Sequence, residues 1–218
     1  MSRTDGLLLP AALPAALAAA LVVLLVALAG CSTDPPERTV VTRSSTSDAS
    51  GDVLVGGHST DPEAVAPAPR NAITDIVRTT VDHGADEVTV TAEFRDLRRR
   101  QYLDLTADVT TDRTGSRLPT QATALAYRGE TSVDVYDAGG SRCAGAAVDV
   151  DFDTNRLTMT LPRSCLGDPQ WIEAEVDAAT MRYDAAPDDP LGDAVWEDHA
   201  YGTGRAGWDA TVPRLHHP

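Results

Sequence analysis

Four oxygen-bearing side chains follow one another at alternate positions: Asp149, Asp151, Asp153 and Asn155. This spacing opens many calcium-binding loops, in which carboxylate and amide oxygens surround the ion. A complete loop of that type also has a glycine at its sixth position and a closing glutamate, and this sequence has neither of them there. We therefore expect outward-facing acids on a strand that leads into a turn, and no metal. A weak calcium site at these four residues is the alternative.

The chain contains no recognisable catalytic motif. Its histidines are scattered, and none lies in a zinc-protease or nucleophile-elbow sequence. Neither a phosphate-binding loop nor a dinucleotide fingerprint is present. Acidic residues are so abundant that no pair stands out as the two carboxylates of a glycoside hydrolase. We expect no catalytic residue, no enzymatic activity and no cofactor. The five histidines are His58, His83, His199, His216 and His217.

Three further groups of side chains could form a binding surface. Arg98-Arg99-Arg100 follows a predicted strand and is interpreted as a charged turn, with a partner-docking patch as the alternative. The acids between Asp184 and Asp198 lie among Pro and Gly, which indicates a solvated loop rather than a metal site. Several aromatic residues could line a sugar-binding face, although the first of them is expected in the core. They are Trp171, Trp196, Trp208, Tyr183 and Tyr201.

An uncharged apolar stretch near the start of the chain ends in Leu28-Ala29-Gly30-Cys31, which resembles the lipobox of bacterial lipoproteins. The resemblance implies that residues 1–30 are a signal peptide and that Cys31 carries the lipid, a diacylglycerol with fatty acids such as palmitate. The chain would then be anchored on the extracytoplasmic face of the cell membrane. Pro10 and Pro14 leave an apolar run of signal-peptide size, which disfavours the alternative of an uncleaved membrane anchor.

The charge of the chain excludes several classes of partner. Asp and Glu number 33 against 18 Lys and Arg, a formal net charge of -15. Such a surface is repelled by nucleic-acid phosphates and by anionic lipid headgroups. We therefore expect no nucleic-acid partner and no membrane contact besides the lipid. High net charge also favours a soluble monomer.

Apolar and polar residues alternate with a period of two through the second half of the chain, which is typical of half-buried β-strands. In Glu87–Leu97, for example, Val88, Val90, Ala92 and Phe94 share one face. Eight short strands predict an all-β fold, an antiparallel β-sandwich, with an open barrel as the alternative. The predicted strands cover residues 72–82, 87–97, 103–111, 121–127, 132–136, 147–153, 156–161 and 171–178.

One hairpin can be predicted to its register. Pairing Phe152 with Leu157 and Val150 with Met159 directs the apolar side chains to the core through a two-residue turn at Thr154-Asn155. A slip by one residue would place threonines opposite valines, so the alternation specifies this pairing.

Cys143 and Cys165 arrive at the open end of the same hairpin. Disulfides persist in exported proteins, and an even pair of cysteines remains once Cys31 is lipidated. We predict a Cys143–Cys165 disulfide. A catalytic or metal-binding thiol is the alternative, although no histidine or further cysteine lies at ligand spacing.

The composition divides the chain into four parts. After the signal peptide, residues 31–70 are predicted to be the lipidated cysteine and a flexible linker, because they are rich in Ser, Thr, Asp, Pro and Gly and have no aromatic residue. The β-sandwich covers residues 71–183. Residues 184–218 form an acidic, Pro- and Gly-rich segment in which Trp208 to Leu215 could add a last strand. The short run Val53-Leu54-Val55 is assigned to the linker.

The run His83-Gly84, Val88-Thr89-Val90-Thr91 and Phe94-Arg95-Asp96-Leu97 resembles a β-sandwich domain common in secreted proteins of high-GC Gram-positive bacteria. The later run from Arg156 to Gly167, including Cys165, is similar to the same family. That family has no assigned activity, so no functional residue follows from the resemblance. We expect a non-enzymatic module that binds an envelope protein or glycan. The alternatives are a hydrolase or accessory protein of cell-wall polysaccharides, and a structural spacer lipoprotein.

Overall fold

The computed structural model describes residues 40–56, 66–99, 101–114, 118–136, 142–181, 194–201 and 211–218. In this part of the chain the backbone forms thirteen β-strands and one short 3-10 helix, Arg163–Leu166. The strands are β1 Arg43–Ser47, β2 Leu54–Gly56, β3 Ala66–Pro67, β4 Ile76–His83, β5 Glu87–Phe94, β6 Leu103–Thr111, β7 Thr120–Tyr127, β8 Glu130–Tyr136, β9 Ala147–Asp151, β10 Arg156–Pro162, β11 Trp171–Met181, β12 Val195–His199 and β13 Leu215–His216.

The strands form two antiparallel sheets packed as a β-sandwich, which confirms the predicted fold class. One sheet has five strands in the order β1-β4-β5-β10-β9. The other has eight, in the order β3-β2-β12-β11-β6-β7-β8, with β13 paired to β11. Between them lies one apolar core, to which the inward faces of β5, β6, β10 and β11 contribute most of the buried side chains.

The alternating patterns mark eight of the thirteen described strands, β4 to β11. All eight predicted strands are present, with ends displaced by a few residues. In β5, Val88, Val90 and Ala92 are fully buried and Phe94 is 3% exposed, as the alternation predicted. The period of two identifies these strands because each has one face on the core and one toward solvent.

The prediction of a linker over residues 31–70 was wrong for the residues that the structure describes there. Strand β1 pairs with β4, and β2 pairs with β12 and with β3. Val53 is fully buried and Leu54 is 8% exposed, although this run was assigned to the linker. The physical reason is that a polar segment such as β1, Arg-Ser-Ser-Thr-Ser, joins a sheet edge through backbone hydrogen bonds and needs no apolar side chain.

The described parts of the C-terminal segment, residues 194–201 and 211–218, also belong to the sandwich. Strand β12 lies between β2 and β11, and β13 pairs with the start of β11 through Leu215 and Ile172. The predicted last strand from Trp208 to Leu215 was misplaced in its described part, because the strand there is Leu215–His216; residues 208–210 lie outside the described residues. The boundaries of 71–183 for the domain were therefore too narrow on both sides.

The predicted register of the β9–β10 hairpin was wrong by two residues. Leu157 lies opposite Val150 and Met159 opposite Val148. The turn begins earlier than predicted because Asp151 Oδ1 accepts hydrogen bonds from the backbone N–H groups of Asp153 and Thr154, at 2.9 and 3.2 Å. A shift by two conserves the face of every side chain, so the predicted inward residues remain inward.

Cys143 and Cys165 form the predicted disulfide at the open end of this hairpin. Their Cα atoms are 5.5 Å apart. Both cysteines are partly buried against the edge of the core. The disulfide thereby fastens the loop before β9 to the 3-10 helix after β10.

Candidate functional site

Three carboxylates converge at one end of the sandwich. Asp48, Asp52 and Asp198 each offer a carboxylate oxygen, and these three atoms lie within 4.8 Å of one another. Asp48 and Asp52 are partly buried, and Asp198 is only 2% exposed. Carboxylate groups this close are unusual without a compensating positive charge, because like charges repel more strongly where water is excluded.

The two N-terminal acids are brought together by a tight turn. Asp48 directly follows β1, and Asp52 lies two residues before β2, so the turn carries the chain from the five-stranded sheet to the eight-stranded sheet. Gly51 has a φ of 87°, a left-handed conformation that suits glycine. Its N–H donates a hydrogen bond of 2.8 Å to Asp75 Oδ2, which fixes the turn against the residue before β4.

Asp75 is a fourth acid near this group, and it is paired with the guanidinium of Arg95. Its side chain is fully buried, and Arg95 Nη1 lies 2.9 Å from its Oδ2. Arg95 is itself held by Pro69 O and Asn71 O, at 3.0 and 2.9 Å. Burial raises the pKa of Asp75, while Arg95 and the Gly51 N–H act to lower it.

Asp198 comes from the opposite sheet, where it lies in β12. Its Oδ2 accepts a hydrogen bond of 2.7 Å from the backbone N–H of Ile76. Burial raises the pKa of Asp198 to about 8; the bond from Ile76 opposes this shift, and the neighbouring acids add to it. Burial likewise raises the pKa of Asp48 to about 7, with further contributions from Asp52 and Asp75. Burial and the neighbouring acids therefore favour the protonated, neutral form of both Asp48 and Asp198.

A cleft on the same end of the molecule is a second candidate for ligand binding. Its volume is about 430 Å³, within the range of small-molecule sites. Two aromatic rings and several hydrogen-bonding groups face it. It is lined by Arg70, Asn71, Ala72, Ile73, Asp96, Arg98, Gln101, Tyr102, Thr180, Met181 and Trp196.

A smaller pocket of about 190 Å³ contains a carboxylate–imidazole pair. His199 Nδ1 contacts Asp177 Oδ1, and Glu175 and Tyr201 also line the pocket. Burial raises the pKa of Glu175, and Asp177 adds to the shift. Burial raises the pKa of Tyr201 to about 12. No serine, threonine, cysteine or lysine is among the described residues that line this pocket, so they offer no alcohol, thiol or amine nucleophile beside the histidine.

The calcium candidate in the sequence is placed on the exposed β9–β10 turn. Asp149, Asp151 and Asp153 are exposed. The Oδ1 atom of Asp151 is bonded within the turn, and Asn155 Oδ1 accepts the backbone N–H of Leu97 at 2.8 Å. The described residues that converge for a metal are instead the acids of the β1–β2 turn and β12.

The other singled-out residues are distributed over the molecule. Trp196 and Arg98 line the large cleft, while Arg100, Trp208, Tyr183 and His58 lie outside the described residues. Trp171 is half-buried rather than in the core, and the Arg214 guanidinium carbon lies over its ring, 3.8 Å from the ring centroid. Cys31 and the signal peptide also lie outside the described residues.

Sequence reasoning missed the acids at positions 48, 52 and 75, and misread Asp198. The first two lay in the predicted linker, where Asp48-Ala49-Ser50-Gly51-Asp52 carries a turn signal that could have marked a folded segment. Asp198 was assigned to a solvated loop, but it is buried in a strand. A cluster drawn from distant parts of the chain has no local spacing to reveal it.

Comparisons with known proteins leave the family open. Neither a scan against protein-family models nor a search of curated proteins finds a match for this chain. The resemblances to bacterial lipoproteins and to a secreted β-sandwich family therefore stay predictions. Within the described residues, no helix has the length and apolar character required to cross a membrane.

Proposed function

We propose that the chain is a lipoprotein anchored through Cys31 on the extracytoplasmic face of the cell membrane, and that its β-sandwich is a non-enzymatic binding module of the cell envelope. The cleft that contains Trp196 and Tyr102 carries the binding part of this proposal. The sequence Leu28-Ala29-Gly30-Cys31 after an apolar stretch supports the anchoring part.

The chemistry of the cleft favours a glycan as the ligand. The rings of Trp196 and Tyr102 offer flat apolar surfaces on which the apolar face of a sugar ring can stack. Arg98, Asn71 and Gln101 surround them with groups that hydrogen-bond hydroxyls and amides. A few polar groups around an apolar, aromatic surface are typical of sites that bind small molecules.

The position at which the folded domain begins limits how far from the membrane the module can bind such a ligand. Backbone bonds from His216 N to Val41 O and from His83 N to Thr42 O, at 2.7 and 2.8 Å, join the chain to the sandwich just before β1. About ten residues then separate Cys31 from the domain, which reach at most about 35 Å when fully extended. A module on so short a connection would meet ligands in the envelope layers next to the membrane.

Cosedimentation with purified cell-wall material tests the binding part. We expect the full chain to sediment with the wall, and Trp196→Ala and Arg98→Ala to lose this binding at least about tenfold. Trp171→Ala is the matched control, since Trp171 lies at the opposite end of β11 from the cleft residues Thr180 and Met181. Equal binding by all variants would reject the cleft as the site. No sedimentation by the wild type would favour a structural spacer.

Two further measurements test the lipoprotein assignment and the alternative that the protein is a hydrolase. Labelled fatty acid should enter the wild type and not Cys31→Ala, and equal labelling would contradict the lipoprotein assignment. A wall-polysaccharide hydrolase would release soluble sugars from the same material. The pair Asp177 and His199 is the described feature that a hydrolase would use, so His199→Gln should then abolish the release.

A further inference from the structure

The cleft that contains Trp196 and Tyr102 differs in charge from the chain as a whole. The chain carries a formal net charge of -15. Among the described residues that line the cleft, the charged side chains are two guanidiniums, Arg70 and Arg98, and one carboxylate, Asp96. An anionic ligand that is repelled by the acidic chain as a whole can therefore approach the molecule at this place.

Arg70 stands apart from the other arginines of the described chain. Its side chain is exposed, and among the described residues it has no ion pair, hydrogen bond or stacked aromatic ring. Each of the other described arginines contacts an acid, a backbone carbonyl or an aromatic ring. In a chain with 33 acids, an arginine that pairs with none of those described keeps its N–H donors for a ligand.

The backbone on both sides of Arg70 is fixed. The Arg95 guanidinium donates to Pro69 O and Asn71 O, at 3.0 and 2.9 Å. Asn71 Oδ1 in turn accepts the backbone N–H of Ile73 at 3.0 Å. The backbone of Arg70 is therefore held at the cleft before a ligand arrives, so binding has only the side chain to order, and this lowers its entropic cost.

Arg98 is held at the cleft by a neighbouring acid. Its Nε donates to Asp96 Oδ2 at 2.8 Å, and its Nη2 contacts the same oxygen. The Asp96 N–H donates to Ala72 O at 2.9 Å, so the acid is itself anchored in the fold. Arg98 Nη1 makes no hydrogen bond to a described residue, which leaves it available to a second oxyanion. Arg99, by contrast, lies over the Phe152 ring, 4.6 Å from its centroid.

Two guanidiniums beside two aromatic rings fit a sugar that carries a carboxylate. A guanidinium pairs with a planar carboxylate through two parallel hydrogen bonds. When a sugar ring stacks on Trp196 or Tyr102, a carboxylate attached to that ring lies at the edge of the stacked ring. A phosphodiester lies between sugar units instead, away from the ring. The described lining has two cations and one acid, an excess of one positive charge, which matches one carboxylate.

We propose that the cleft binds an acidic glycan, and that Arg70 and Arg98 pair with a carboxylate of the sugar whose ring stacks on Trp196 or Tyr102. This inference rests on the proposed function, because it specifies the ligand of the same cleft. It also explains how a chain with a net charge of -15 binds a negatively charged polymer, since the anionic contact is confined to one place on the molecule.

Cosedimentation of the full chain, in detergent, with three preparations of purified wall material tests the proposal. The first preparation is untreated, the second has its carboxylates converted to neutral amides by carbodiimide and glycinamide, and the third has its phosphodiesters removed by hydrogen fluoride. We expect untreated and phosphate-free wall to bind alike, and amidated wall to bind at least about tenfold more weakly, because the charge-assisted hydrogen bonds are lost.

The outcomes distinguish failure of this inference from failure of the proposed function. Equal binding of untreated and amidated wall would overturn the inference and leave glycan binding intact. A loss on removal of phosphate would overturn the assignment of the carboxylate. No binding to untreated wall would reject the proposed function itself.

Wall from which an amidase has released the peptides distinguishes carboxylates on sugars from those on peptides. It should still bind the full chain, because the sugars keep their carboxylates. Loss of binding to this preparation would place the carboxylate on the peptide and refute the acidic glycan.

Arg70→Gln adds a readout that a general loss of affinity would not give. It should weaken binding to untreated wall at least about fivefold, yet bind amidated wall like the wild type, because the partner of Arg70 is missing there in both proteins. Arg70→Lys should recover part of the binding, since lysine keeps the charge without the planar fork. The Tm should stay unchanged in both variants, because Arg70 has no partner among the described residues.

Arg43→Gln is the matched control. Arg43 is an exposed arginine that pairs with Asp82, at the opposite end of β4 from the cleft residue Ile73. Its replacement should leave binding to every preparation unchanged. The proposal is refuted if Arg70→Gln binds untreated wall like the wild type, or if it loses affinity equally for untreated and amidated wall.

Discussion

Asp198 on β12 accepts a hydrogen bond of 2.7 Å from the backbone N–H of Ile76 at the start of β4, and this bond crosses between the two sheets. Both residues are buried, with Ile76 fully covered and Asp198 2% exposed. The pair lies 122 residues apart in sequence. The Asp198 carboxylate in one sheet thereby accepts the hydrogen bond of a backbone N–H group, that of Ile76, at the start of a strand in the other sheet.

Replacing Asp198 tests the value of that bond. We expect Asp198→Ala to be less stable than Asp198→Asn by about 1–2 kcal/mol, because alanine leaves the buried Ile76 N–H without an acceptor whereas the asparagine oxygen can still accept. Urea unfolding followed by circular dichroism measures the difference. Equal stability of the two variants would show that water satisfies this N–H.

The ion pair between Arg95 and Asp75 gives a second prediction. Arg95→Gln should lower the free energy of unfolding by about 3 kcal/mol, because it leaves the fully buried Asp75 carboxylate without its cation. Arg156→Gln is the control: its pair with Glu93, at 3.1 Å, is solvent-exposed and should be worth less than about 1 kcal/mol. Similar losses in both variants would contradict the role assigned to burial.

The sequence carried enough information for the sandwich because each central strand has one buried face. The alternation in Leu103–Thr111 reproduced β6 residue for residue, since Leu103, Leu105, Ala107 and Val109 all enter the core. The same logic survived a wrong register in the β9–β10 hairpin, where the pairing moved by two and the inward face stayed inward. The sequence therefore predicts which side chains of a strand face the core better than it predicts which residues pair between strands.

The group of three acids, Asp48, Asp52 and Asp198, could not be predicted in this way. Strand β1 has no apolar residue, so nothing in its pattern marks a strand, and it pairs with β4 through backbone hydrogen bonds and exposed polar contacts such as that between Ser45 and Thr80. Without β1 and β2 in the sheets, Asp48 and Asp52 have no fixed place. Asp48 and Asp52 approach Asp198 only because β1 and β2 pair in the two sheets. The sequence instead suggested a calcium site at Asp149–Asp153, which lies on an exposed turn.

The disulfide leads to a prediction about the hairpin. Cys143 and Cys165 enclose a separation of 22 residues, for which the chain-entropy model gives a stabilisation of about 3 kcal/mol. We expect the Cys143→Ala, Cys165→Ala double variant to unfold at a correspondingly lower urea concentration. The denatured, unreduced wild type should show no thiol reactivity from these two residues. Two reactive thiols in that assay would refute the disulfide.

His83 predicts a pH dependence of stability. Its ring is fully buried, and burial lowers its pKa below the usual 6.5, with Arg163 and His217 adding to the effect. The bond from Nδ1 to Leu215 O, at 3.3 Å, and the charge of Asp112 oppose the shift. The folded state therefore keeps the ring neutral at pH values where the unfolded chain protonates it.

The sign of that effect follows from proton binding. As the pH falls below about 6.5, the unfolded chain binds a proton that the folded state does not, so the free energy of unfolding decreases by at most about 1.4 kcal/mol per pH unit until the folded pKa is reached. His83→Phe should lack this contribution. Urea unfolding of both proteins between pH 5 and pH 7.5 measures it, and parallel pH profiles would contradict the assignment to His83.

Asn155 combines a strained backbone with a bond that only its side chain provides. Its φ is 55°, in the left-handed region, and its Oδ1 accepts the Leu97 N–H at 2.8 Å. Asn155→Gly should cost about 1 kcal/mol, because glycine tolerates this φ but loses the bond. Asn155→Val should cost about 2–3 kcal/mol, because a β-branched residue adds the strain of a positive φ to the same loss. Asp153→Ala, on the same turn, should change stability by less than about 0.5 kcal/mol. If the valine variant were as stable as the glycine variant, residue 155 would have to relax out of the left-handed conformation. The four-residue loop 152–155 would then not depend on Asn155.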